Sequence, residues 1–230
     1  TFTSSGVKNW SQDLRLSTDQ SLPVSGLAGL YYYNQQAQPG WGGDLTGFVL
    51  PGNRSVQPVA TNPDDETTNK AVYAMVNWQI NEQWTTSVEA RYARDEISRG
   101  GVDRRVLGAN TYTQPWALSE TFSSFTPRWT LSYQAADNLN VYGLVSKGTK
   151  PGGFNADVYR ADFQESERDR LIAAGLSSFE EEKATNYELG IKSDWLDGTL
   201  RLNANVYLID WTNQQLTETG PVTRKNGTLF

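Results

Sequence analysis

The chain contains neither Cys nor His. That removes thiolate nucleophiles, disulfides, the Ser–His and Cys–His pairs of acyl-transfer enzymes and the imidazole metal ligand. No catalytic, cofactor-binding or metal-ligating residue is expected, and no cofactor. GTKPGGFN (148–155) holds closely spaced glycines but opens no helix, so it reads as an exit from a strand into a loop and not as a phosphate cradle. Acidic groups at 64–66 and 180–182 have the oxygen chemistry for a divalent cation, although a solvated loop edge explains them more simply. What remains is binding. Trp41, Arg54, Arg104, Arg105, Tyr112, Trp116 and Tyr159 set aromatic faces beside cationic donors in three long polar stretches, 36–66, 98–120 and 151–182. Such groups suit anionic chelates of catechol or citrate type through stacking, cation–π contact and charge-assisted hydrogen bonds. Each also has a plainer use, since loop aromatics pack on one another and loop arginines take surface phosphate.

The elements that must position these groups are strands. Hydrophobic alternation with a period of two marks eight segments: 10–18, 24–34, 71–80, 84–97, 121–134, 139–149, 183–195 and 199–216. In the last of them Leu200, Leu202, Ala204, Val206 and Leu208 alternate with Arg201, Asn203, Asn205 and Tyr207. The segment before it alternates Tyr187, Leu189, Ile191 and Trp195 with Glu188, Lys192 and Asp194. Leu202, Val206, Leu189, Ile191, Val76 and Trp78 are therefore expected on one face. Glu89, Arg91, Arg128, Glu188, Lys192, Arg201 and Asn203 are expected on the other. Gly and apolar residues occupy both faces of 24–34 and 139–149, which leaves their orientation open, and Pro127 is awkward inside a central strand.

Tight polar turns at 19–23, 81–83, 135–138 and 196–198 alternate with the three long connections. This is the layout of bacterial outer-membrane barrels, with short turns on the periplasmic side and long loops outside. A mean hydropathy of −0.57 and a net charge of −6 suit a barrel with polar lumen and loops, and equally a soluble acidic protein. No run of apolar residues is long enough for a transmembrane helix. Aromatics near strand ends (Trp10, Trp78, Trp84, Tyr133, Trp195, Trp211) look like interfacial girdles, with the core of a soluble β-sandwich as the alternative.

Three blocks carry a resemblance to a family. SQDLRL (11–16) followed by VSGLAGLYYYNQ (24–35) forms one, and FTPRWTLSYQAADNLNVYGLVSKGTKPGGFN (125–155) a second. The third is YELGIKSDWLDGTLRLNANVYLIDWTNQQ (187–215). Together they resemble the TonB-dependent outer-membrane receptors along nearly the whole chain. The resemblance implies an all-β, antiparallel transmembrane fold: residues 1–230 as an open, curved slice of about eight strands from a barrel of about 22. It also implies uptake of scarce nutrients, ferric siderophores above all, across the outer membrane of a Gram-negative bacterium. The partners implied are outer-membrane lipid and lipopolysaccharide, a small iron chelate, and the inner-membrane TonB complex through a plug and TonB box that these residues lack. No nucleic acid is implied. The counted strands put both ends of the chain on the outer side, which suggests a piece of a longer wall. A non-transporting structural or adhesive barrel, or a receptor for cobalamin or oligosaccharide, stays open.

Overall fold

A computed structural model describes residues 2–43, 65–107, 109–217 and 220–229, without the side chains of residues 2–5, 38–43 and 106. Eight strands form one antiparallel sheet: β1 (Phe2–Ser17), β2 (Val24–Gly43), β3 (Glu66–Gln79), β4 (Trp84–Leu107), β5 (Asn110–Ala136), β6 (Leu139–Lys150), β9 (Glu182–Trp195) and β10 (Leu200–Thr212). The sheet runs β1-β2-β3-β4-β5-β6-β9-β10, with every neighbour also next in sequence except across the 151–181 connection. That connection carries a two-residue ladder of β7 (Gly153–Phe154) with β8 (Ser178–Phe179), a 3₁₀ turn (Ala156–Tyr159) and α1 (Glu165–Ala173). β1 and β10 do not pair, so the sheet is open.

Directly opposed residues of an antiparallel pair share a face, and the ladders join the alternating residues into two continuous surfaces. One row runs Leu30, Val72, Tyr92, Phe125. Others run Gly26, Val76, Val88, Trp129, Val145, Tyr187, Leu208 and Val141, Ile191, Ala204. The opposite face carries Met75, Glu89, Arg128, Ser146, Asn186 and Asn140, Lys192, Asn203. All thirteen residues assigned to a face from alternation lie where expected, and 24–34 and 139–149 resolve too: Val24, Ala28, Leu30, Val141 and Val145 join the apolar side. On that side Leu16 is 79% and Val206 70% exposed, a continuous apolar surface of the kind that faces lipid in a membrane barrel.

Aromatics bound this surface. Trp78, Trp84, Tyr133 and Trp195 stand on it beside the short turns, with the Trp84 and Tyr133 rings 4.5 Å apart. Trp10 and Tyr32, 5.0 Å apart, stand on it toward the other end. Trp211 departs from the expected girdle. It pairs with Ala184 on the polar face, and its indole Nε1 donates to Glu182 at 2.9 Å. An odd offset from Leu208 is enough to turn it inward.

The four short turns form where expected. Asp19 accepts from the Ser21 amide at 2.9 Å, and Asn81 accepts from the Gln83 and Trp84 amides at 2.9 and 2.8 Å. These are local side-chain turns that need no further residues. The long stretches are more ordered than expected of loops. Residues 98–107 continue β4, 110–120 begin β5, and they pair without a break from Ser98↔Ser119 to Leu107↔Asn110. Val102, Thr111, Tyr112, Thr113 and Trp116 favour this extended ribbon over an irregular loop. Residues 36–43 likewise continue β2, and 44–64 lie outside the described residues. Pro127 opposes Ala90 of β4, while pairing with β6 reaches only to Arg128↔Ser146. The ladder thus stops beside the residue that cannot donate.

Candidate ligand-binding site

The ribbon of β4 and β5 beyond Arg94 and Ser123 turns alternate side chains to opposite sides. Asp103↔Gln114, Arg105↔Tyr112 and Gly101↔Trp116 lie on the polar face, whereas Arg104↔Thr113 lies on the outer one. Adjacent Arg104 and Arg105, grouped together by their sequence, therefore separate, because successive strand residues alternate. Arg104 is exposed, on the side away from Asp103, Arg105 and Trp116.

The 156–168 segment lies across this inner face. The Trp116 and Tyr159 rings stack with centroids 5.9 Å apart and planes 15° from parallel. The Ala161 amide donates to Asp103 Oδ2 at 2.8 Å, and Arg168 Nη1 donates to Gln114 Oε1. Residues 220–229 close the assembly from the side. Lys225 N–H donates to the Asp162 carbonyl at 2.8 Å, Gln164 N–H to the Thr223 carbonyl at 3.1 Å, and Lys225 Nζ sits 5.0 Å from the Tyr112 ring centre. Val158, Ala161, Phe163 and Val222 are buried here, giving this cap most of the conventional apolar core found among the described residues.

Charge is arranged tightly inside the cap. Arg160 grips Asp162 with Nε and Nη2 at 3.1 and 3.0 Å, and Arg224 Nε approaches the same carboxylate at 3.3 Å. Burial favours the neutral acid, but the Arg160 hydrogen bonds and the charges of Arg160 and Arg224 outweigh it, holding Asp162 below the usual carboxylate range. Burial likewise works against Arg105, and its bond to Asp103, with Asp162 and Asp157 nearby, more than compensates and keeps its pKa above the ordinary value. α1 ends as a Schellman motif: Gly175 takes φ +73°, its amide donates to Ile172 O, and Leu176 N–H donates to Leu171 O. The helix thus runs Glu165–Ala173 with Gly175 just past its end. Within it Arg170 Nη2 pairs with Glu167 Oε2, three residues earlier, at 2.8 Å.

Of the seven residues singled out in the sequence, Arg105, Tyr112, Trp116 and Tyr159 come together in this cap. The Trp41 side chain and all of Arg54 lie outside the described residues. Asp103, Gln114, Asp162, Arg168 and Lys225 were missed. Asp103 and Gln114 sit two residues from Arg105 and Trp116, a signal that needed only the recognition that 98–120 is strand.

The model of the TonB dependent receptor-like β-barrel matches residues 1–228. The chain belongs to this receptor family. Among solved structures it is similar to the ferric yersiniabactin uptake receptor FyuA from Yersinia pestis, with 20% identity, a TM-score of 0.67, and coverage of 93% of this chain and 30% of that one. It is also similar to the siderophore receptor PiuA from Acinetobacter baumannii, with 16% identity, a TM-score of 0.56, and coverage of 89% and 32%. At these identities the likeness establishes the fold, and the chain spans about a third of either structure's length. The open sheet is accordingly a slice of a TonB-receptor barrel, with its polar face toward the lumen.

The lumen wall of the receptor slice is a hydrogen-bonded lattice. Tyr73 lies over Gly29 and donates to Asp13 at 2.6 Å, and Tyr142 lies over Gly190 and donates to Glu188 at 2.7 Å. A Cβ on either glycine would come within 2.3 and 2.5 Å of the tyrosine Cζ, so only glycine admits these rings. At the loop-side end a cleft of about 560 Å³ is lined by Lys150, Phe179, Glu180 and 213–217. Glu180 and Glu182 act there as acceptors for Asn213, Trp211 and Gln215, and no group of three carboxylates converges among the described residues. Asp64 lies outside them.

Proposed function

We propose that this chain forms part of the wall and outer mouth of an outer-membrane receptor that takes up ferric siderophores, powered by the inner-membrane TonB complex. The observation that carries the reading is the joining of one continuous apolar face, bounded by aromatics, to a polar face crowned by an aromatic and cationic cap. The first suits lipid. The second suits an anionic chelate: stacked Trp116 and Tyr159, with Arg105 and Lys225 beside Tyr112 four residues along the same face, offer π faces and cations in one cap. Lipid and lipopolysaccharide are the proposed partners of the outer face and rim, with Arg104 the described candidate for lipopolysaccharide phosphate. Family membership supports a transport role over an enzymatic one.

The test is uptake of radiolabelled iron chelates by iron-starved cells with and without the intact gene, each with the inner-membrane energy supply present or dissipated. Uptake that needs both gene and energy is expected. Uptake independent of energy would make the protein a passive pore, and expression that follows a particular sugar but ignores iron would move the assignment to oligosaccharide.

A further inference from the structure

Arg168, in the first turns of α1, has an unusual environment. Its Nη1 donates to Gln114 Oε1, while Nε and Nη2 are closed off from solvent and have no hydrogen-bond partner among the described residues. Those two N–H groups share one edge of the guanidinium, the edge that takes both oxygens of a carboxylate in parallel bonds. The cap itself shows what this edge does elsewhere: Arg160 holds Asp162 by Nε and Nη2, and Arg105 turns the same two nitrogens to Asp103. The acidic neighbours of Arg168 do not serve it. Glu167 is engaged by Arg170 and Thr223, and Glu165, three residues earlier on α1, does not bond either of these nitrogens. A buried cationic donor without an acceptor is costly, which makes it an avid site for an anion that arrives with a partner's geometry.

Its position says what kind of anion. Gln114, which holds the other end of the guanidinium, lies two residues from Trp116 on the same face, about 7 Å along the strand. Trp116 carries the stacked Tyr159. A flat aromatic group against that stack would bring a carboxylate a few ångströms away to the Arg168 edge. We propose that Arg168 clamps a carboxylate of the incoming ligand, one borne on or near an aromatic ring and not consumed in binding iron. This rests on the receptor reading above and narrows its substrate class. Because the edge is closed to solvent, capture requires the seam between α1 and the ribbon to part.

The test uses the whole purified receptor in detergent, with 4-fluorobenzoate as probe and 4-fluorobenzamide as its uncharged match, followed by fluorine NMR. Fluorobenzoate should bind saturably and the amide should not. R168Q should weaken benzoate binding about tenfold or more, R168K should recover little because an ammonium lacks the fork, and R170Q should bind as the parent does. Heat-modifiable gel mobility checks that each variant is folded, and R168K serves if R168Q is not. Equal binding of benzoate and benzamide, or unchanged benzoate binding in the folded Arg168 variants, would overturn the proposal. Displacement by inorganic phosphate as effective as by benzoate itself would overturn it too, assigning the edge to surface phosphate. Iron uptake that persists while benzoate binding fails sinks this inference alone, and the reverse outcome sinks only the transport reading.

Discussion

Placing an arginine at Ile191 tests the orientation of the whole sheet at one position. Ile191 stands on the apolar face between Val141 and Ala204. It is four residues from Tyr187 and four from Trp195, the aromatics that bound the band on β9. At about 3.3 Å per residue that is about 13 Å along the strand either way. With a strand tilt of about 40° the depth is about 10 Å from each boundary, the middle of an apolar band about 25 Å tall. A guanidinium there should cost about 2–4 kcal/mol, falling to about 1 kcal/mol or less for Tyr187→Arg at the boundary. The control is Asn205→Arg, close by on the polar face, where the native amide already donates to Glu188 at 2.9 Å. An arginine at that point gains a carboxylate partner and should leave stability within about 0.5 kcal/mol. The assay is urea unfolding of the whole receptor from lipid vesicles, followed by its gel-mobility shift. If Asn205→Arg proves as costly as Ile191→Arg, or Tyr187→Arg costlier than both, the assignment of faces is wrong.

Gly190→Ala puts a methyl 2.5 Å from Tyr142 Cζ and should destabilise the receptor by about 1–3 kcal/mol in the same urea assay, with Tyr142→Ala in the same chain recovering part of the loss. Trp116→Ala and Tyr159→Ala should each speed hydrogen exchange across 155–164, and the double variant should do less than the sum, with a coupling of about 0.5–1.5 kcal/mol. Asp162 binds its proton less tightly folded than unfolded, so its contribution is complete above its ordinary value of 3.8 and is lost as pH falls through the lowered one. Proteolysis of the cap should therefore accelerate in acid with Asp162 in place, and Asp162→Asn should be fast already at pH 7 with that acid dependence removed.

The sheet was legible because a strand's period of two is the same whether the strand is seen or inferred. Leu200 to Leu208 and Tyr187 to Trp195 alternate cleanly, and the register confirms them residue for residue. An obscure strand was one where the lumen wall needs something other than a polar chain. Gly29 blurs the alternation of 24–34, yet it admits a tyrosine from the neighbouring strand, as Gly190 does inside the cleanly alternating β9. That pairing spans 44 residues for Gly29 and Tyr73 and 48 for Tyr142 and Gly190, so no local window contains both members.

The ribbon failed for a different reason. Polar composition in 98–120 was read as a loop, because within a membrane strand one face must be apolar. Above the hydrocarbon that demand lapses: beyond Tyr92 the outer face of β4 turns to Arg94 and Glu96 while pairing continues to Leu107. Hydrogen bonding alone extends the strand there, and side-chain polarity no longer reports on it. The consequence for the site is direct. Read as loop, 98–120 offers Arg104 and Arg105 as equal candidates. Read as strand, it sends them to opposite faces and brings Asp103, Arg105, Tyr112, Gln114 and Trp116 onto one. Arg168 needed still more, since its meeting with Gln114 joins residues 54 apart in sequence. Its unpaired edge follows from the packing of a nine-residue helix on that ribbon, a fact of tertiary structure that composition cannot carry.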